Sequence, residues 1–137
     1  MTSSLPFRKI LLADDDVDDR WFFLDFLKHR PDIEILSSVT NGTELIAYLD
    51  EIKNEVDFPH LIILDQNMPK LNGTETLSLL KSHKRYNKID IVIYSTHTDQ
   101  KLIEDCTVLG AVLVIAKPVS FEGYNHMISS ILNVISA

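Results

Sequence analysis

With 137 residues, 45% of them apolar and 24% charged, the chain has the size and composition of one folded domain with a real core, which excludes a disordered protein. The longest apolar runs, Ile10–Ala13 and Ala111–Ala116, are far too short to span a bilayer, so membrane insertion is not expected. A net charge of −7 leaves no broad basic face for a phosphate backbone, and direct nucleic-acid binding is not expected either.

The opening "MTSSLPFRK" lacks the long apolar segment of a signal peptide, and a cytoplasmic chain is expected. Strand-like runs follow at residues 9–13, 33–39, 60–65, 89–95 and 111–116, and three of them are apolar nearly throughout, as parallel strands covered on both faces require. Helical segments at about 17–29, 43–54, 74–86, 99–109 and 120–135 alternate with them. Five βα units in succession predict a doubly wound α/β sandwich. "NGTE" occurs at Asn41–Glu44 and again at Asn72–Glu75, each time ahead of a helix, with Asn as N-cap and Glu three residues on. Cys106 is the single cysteine, so no internal disulfide is possible. The five histidines share no ligand spacing, and none is assigned a catalytic role.

In an open parallel sheet, ligands bind beyond the carboxyl ends of the strands, near the point where strand order reverses. The first strand ends in Asp14-Asp15, the third in Asp65, the fourth in Ser95-Thr96 and the fifth in Lys117-Pro118. Three acids, a hydroxyl and a lysine therefore converge on one rim. The acids form an oxygen-rich site for a hard divalent cation, Mg²⁺. Asp16, Asp18 and Asp19 lie past the strand end and read as solvated acids of the first helical turn, where the helix dipole favours negative charge.

"ILLADDD", "LIILDQNMPKLNG", "VIYST" and "AKP", in this order and spacing, resemble the receiver domain of bacterial two-component response regulators over almost the whole chain. The resemblance implies a flavodoxin-like (βα)5 sandwich with a parallel sheet in the order 2-1-3-4-5. It implies that Asp65 is the phosphoacceptor, Asp15 a direct metal ligand, and Asp14 the acid that holds metal-bound water. Asn67 would give the metal its backbone carbonyl, while Ser95 and Lys117 would each meet a phosphoryl oxygen. The phosphodonor would be a histidine kinase or a histidine phosphotransfer protein. In the family the bond corresponding to Lys117–Pro118 is usually cis. The expected domain is a single receiver over residues 1–137, with its core at about 8–135 and no output domain, so that another protein reads or receives the signal.

Physical chemistry agrees with these roles, since a carboxylate is a recognised nucleophile toward phosphorus once charge on the transferring group is neutralised. A Mg²⁺-dependent aspartyl phosphatase of the haloacid dehalogenase type also uses a strand-end Asp, but it needs a second Asp two residues later, where this chain has Asn67. A degenerate receiver acting as a phosphorylation-independent binding module is the other alternative, against which the intact acid, hydroxyl and lysine set speaks.

Two further expectations concern partners and switching. On a helical wheel Phe22, Phe23, Phe26 and Leu27 fall within about 140° and form the core face of the first helix, leaving Trp21 and Leu24 toward solvent. In the resembled family this helix docks the phosphodonor, so Trp21 and Leu24 are expected at that interface. Receivers commonly carry an aromatic residue three positions before the rim lysine, and here that position is Val114, which cannot swing as a ring does. The switch is therefore expected to run through Ser95, Thr96 and the following helix.

Overall fold

Short runs of leucine and β-branched residues, too brief and too evenly apolar for a helical stripe, pair side by side in the centre of the molecule. The computed structural model describes residues 8–134. Its strands are β1 (Arg8–Ala13), β2 (Ile33–Ile35), β3 (Leu61–Asp65), β4 (Asp90–Ser95) and β5 (Leu113–Ala116). They alternate with the helices α1 (Val17–Leu27), α2 (Gly42–Asp50), α3 (Gly73–Ser82), α4 (Gln100–Leu109) and α5 (Phe121–Val134). All pairings are parallel and the order is β2-β1-β3-β4-β5, as expected from the sequence. Strand order reverses between β1 and β3.

Alternation along each strand builds two cores. Leu11, Ala13, Ile62, Leu64, Ile91 and Ile93 pack with Leu45, Leu49, Leu77, Leu80 and Cys106 of α2, α3 and α4. Ile10, Leu12, Leu61, Ile63, Val92 and Tyr94 face the other way, onto Phe23, Leu27, Met127, Ile128 and Ile131 of α1 and α5. Every residue of β3 is buried, which makes it the strand that both layers share.

The register sets the functional rim. Ala13 pairs with Leu64, Asp65 with Tyr94, and Ser95 with Ala116. Asp14 and Asp65 consequently follow level residues at one edge, with Ser95 one residue and Lys117 two residues further along their strands. The start of α3 closes on this edge, and only glycine fits there: a Cβ on Gly73 would stand 2.8 Å from the Asp65 carbonyl oxygen. Asn72 caps α3 in a complete capping box with Glu75. Asn41 caps α2 as expected, but the Glu44 carboxylate turns to the Thr40 N–H and hydroxyl, each at 3.0 Å.

Several boundaries differ from the periodicity. β2 leaves the ladder after Ile35, passes Ser37 and Ser38, and returns only as a bridge between Val39 and Ala13. α2 stops at Asp50 because Asn54 caps a separate 3₁₀ turn at Glu55–Asp57. α3 stops at Ser82, where the chain turns back on itself and Lys81 reaches forward to the carbonyls of Asn87 and Ile89. Ile135, the last residue of the expected fifth helix, lies outside the described residues. Among the described residues no helix is long and apolar enough to cross a membrane.

Candidate functional site

The strand ends deliver a dense group of carboxylates to one point. Asp14 is fully buried, Asp65 and Ser95 nearly so, and Asp15 is exposed. Carboxylate oxygens of Asp14, Asp15 and Asp65 lie within 4.8 Å of one another, close enough to share one cation. The Asp16 N–H donates to Asp14 Oδ1 at 2.9 Å, and the Arg20 guanidinium holds the Asp14 carbonyl at 2.7 Å. The Asn67 N–H donates to Asp65 Oδ1 at 3.2 Å. Ser95 Oγ accepts the His97 N–H at 3.3 Å. Thr96 is exposed beside it, and Val114 is half-buried against the α2–α4 core.

Lys117 is the cationic centre. Its Nζ stands 2.8 Å from Asp19 Oδ2, 3.1 Å from Asp65 Oδ2 and 3.3 Å from Asp14 Oδ2. The same ammonium lies 4.9 Å from the centre of the Tyr94 ring. Burial alone would lower the lysine, but the Asp19 hydrogen bond and the Asp14 and Asp65 charges hold it above its ordinary value. One ammonium does not balance the group. Burial first, and then the Asp14 carboxylate, push the Asp65 carboxyl up to about 7, although Lys117 and the Asn67 N–H oppose this.

Two residues of the site were not anticipated. Tyr94, 1% exposed, donates its hydroxyl to Asp14 Oδ2, and burial followed by that carboxylate raises the phenol, so it stays a neutral donor. The available signal was a tyrosine one residue before a strand end, since a buried phenol needs a partner. Asp19 is no solvated acid but the shortest contact of Lys117. Asp16 occupies the N-cap and accepts the N–H groups of Asp18 and Asp19, and this sets Asp19 one turn into α1. On the 100° wheel Asp19 lies about 60° from the midline of Phe23 and Leu27, on the same flank as Phe26.

That midline also corrects the reading of α1. Phe23 and Leu27 are its buried residues, so Phe22 falls to the outside, 54% exposed, with its ring edge-on to Trp21 at 5.3 Å. Trp21 is 60% exposed, as expected. Leu24 is not: it is half-buried beside Leu27, Ile33 and Ile35 on the β2 side. The Lys117–Pro118 bond, expected to be cis, is trans, the form that an X-Pro amide favours by about 0.5–1 kcal/mol.

A family model described as the response regulator receiver domain matches residues 10–129. The chain belongs to that family. A probable chemotaxis protein CheY of Rhizobium etli is 27% identical, over 93% of this receiver and 94% of that protein. A protein-glutamate methylesterase/protein-glutamine glutaminase of Clostridium acetobutylicum is 35% identical over 80% of this receiver but 30% of its own length. The receiver thus spans about a third of the methylesterases it matches. The crystal structure of the phosphorylated cyanobacterial phytochrome response regulator RcpA superposes with a TM-score of 0.79 at 27% identity, over 91% of each chain. Receivers of this family hold a divalent cation in an acidic pocket, and three hard carboxylates, one of them the under-balanced buried Asp65, fit such an ion.

The charge excess has a measurable cost. Because the Asp65 carboxyl is raised from its ordinary 3.8 to about 7, the folded, metal-free protein holds that proton more tightly than the unfolded chain does. The stabilisation is complete below about pH 4 and is lost as pH rises through about 7. With a chelator present, wild type should lose about 1–3 kcal/mol relative to Asp65→Asn between pH 4 and 8 in urea unfolding. Parallel stability curves for the two proteins would contradict this.

Proposed function

We propose that Asp65 accepts a phosphoryl group from a phosphohistidine of a histidine kinase or phosphotransfer protein, and that the phosphorylated receiver then acts by binding another protein. The observation that carries this reading is the Lys117 ammonium 3.1 Å from Asp65 Oδ2, at a strand end where Asp14 and Asp15 complete a set of hard oxygens. An Asp65 oxygen attacks phosphorus, the P–N bond breaks, and its electron pair returns to the imidazole nitrogen, which leaves an acyl phosphate on Asp65. Lys117 pairs with a phosphoryl oxygen. Ser95 accepts the His97 N–H and keeps its own hydroxyl proton to donate to another.

Asp14, Asp15, Asp65 and the Asn67 backbone carbonyl would hold Mg²⁺. When bound, that ion neutralises charge on the transferring group and favours the ionised form of Asp65. Without a cation, a carboxyl raised to about 7 is protonated in a large fraction of molecules at neutral pH and cannot attack. Asp65 is thus a nucleophile whose competence depends on its counterion.

Trp21 and, in place of Leu24, Phe22 form the docking surface for the helical phosphodonor. With Phe26, Val119, Phe121 and Tyr124 they line an open groove of about 410 Å³ that adjoins Asp19 and Pro118. Its large exposed apolar residues sit where a phosphohistidine must approach. Signal leaves through α4. The Gln66 side chain, next to Asp65, accepts the Thr74 N–H and hydroxyl at 2.9 and 2.8 Å, and Thr74 Oγ1 lies 3.6 Å from Cys106 Sγ on α4.

Labelling from acetyl phosphate with Mg²⁺ should appear on Asp65 and vanish in Asp65→Asn, read by mass spectrometry of the intact and digested protein. Trp21→Ala should slow transfer from the cognate phosphohistidine about tenfold or more, the size of a lost aromatic anchor, and leave acetyl phosphate labelling unchanged. Label retained in Asp65→Asn contradicts the phosphoacceptor, and equal losses with both donors contradict the docking surface. Under a beryllium fluoride mimic, amide shifts should centre on residues 95–106; changes centred on Val112–Val114 would contradict the route through α4.

A further inference from the structure

We infer that Asp19 is a positioning residue that holds Lys117 in the unphosphorylated receiver and gives it up when a phosphoryl group arrives. This rests on the phosphoacceptor reading of Asp65 and adds to it a competitor for the lysine. Lys117 has three N–H donors and three carboxylates within reach, at 2.8, 3.1 and 3.3 Å. A phosphoryl group on Asp65 brings further anionic oxygens to the same ammonium, and any donor they take beyond the one that already meets Asp65 comes from another acid. Asp14 is poorly placed to yield, since it is fully buried and a carboxylate there cannot exchange its partner for water. The Asp19 side chain keeps 32% of its surface in solvent and meets water as soon as it turns outward.

The local sequence puts Asp19 in this position. In a capping box the residue at N3 reaches back to the N-cap N–H. Here the N-cap is Asp16, and its N–H is already taken by Asp14 Oδ1. The N3 acid, Asp19, is left free to face across to Lys117, 98 residues away in sequence. Its negative charge also stands beside the path of any anionic donor. In the resting receiver Asp19 therefore draws the ammonium off the reacting oxygen and repels the incoming phosphate; both effects weaken capture of the donor more than they alter the chemical step.

The test compares wild type, Asp19→Asn and Asp19→Glu. Acetyl phosphate labelling is followed as a function of donor concentration, and the affinity for beryllium fluoride with Mg²⁺ is measured by amide shifts. Asp19→Asn should lower the half-saturating donor concentration about three- to tenfold and tighten the mimic by a similar factor, the effect of one partly exposed ion pair. The maximal rate should change little, because an interaction lost equally from ground state and transition state moves only the half-saturation. Asp19→Glu, which keeps the charge, should return both values toward wild type. Identical half-saturation and mimic affinity in all three proteins, with wild type labelled on Asp65, overturn the role of Asp19 alone. A wild type that takes no label on Asp65 overturns the phosphoacceptor reading with it.

Discussion

One ammonium shared among too many carboxylates governs this molecule. Lys117 touches Asp14, Asp19 and Asp65, and the Asp15 carboxylate adds a further negative charge within 4.8 Å of those of Asp14 and Asp65. In water such a group would repel weakly, but two of its members are buried, where each unbalanced charge is expensive. The protein answers with neutral donors: the Asp16 N–H and Tyr94 hydroxyl on Asp14, and the Asn67 N–H on Asp65. These hold the carboxylates in place without cancelling their charge. What remains is an acid, Asp65, whose carboxyl is pushed up to about 7 and which in the proposed reading exchanges its proton for a divalent cation.

The rest of the fold serves to hold that imbalance rigidly. Parallel strands whose registers bring Ala13, Leu64, Ile93 and Val114 level fix the heights at which Asp14, Asp65, Ser95 and Lys117 follow. Two apolar layers grip the sheet from both faces, so the strand ends cannot splay to relieve repulsion. Arg20 anchors α1 to the Asp14 carbonyl, and Gly73 lets α3 close on the end of β3. The elements tied to that rim are α1, through the Asp19–Lys117 contact, and α4, through Gln66, Thr74 and Cys106, and the proposed change of charge on Asp65 would reach these first.

The strands and the rim residues were legible in the sequence because each rests on local information, whereas the order of the sheet came only with the resemblance to receiver domains. Apolar runs of strand length end in Asp, Ser or Lys, and a parallel sheet brings such ends together. The face of α1 was not legible to one position, because three phenylalanines, a tryptophan and two leucines crowd its surface and only packing chooses the midline. That choice exchanges Phe22 for Leu24 at the surface. The pairs Tyr94–Asp14 and Lys117–Asp19 span 80 and 98 residues, and no local pattern announces either. Asp19 looked like one more acid in a helical first turn; its role follows only once Asp14 has occupied the N-cap N–H.

The charge imbalance at Asp65 is most directly read by carbon-13 NMR of its side-chain carboxyl, titrated first without metal and then with saturating Mg²⁺. Without metal the carboxyl should titrate near 7, well above an ordinary aspartate. With Mg²⁺ it should fall to the ordinary carboxylate range or below, because the cation supplies the charge that Lys117 alone cannot. An Asp65 that titrates as an ordinary aspartate in both conditions would contradict the account.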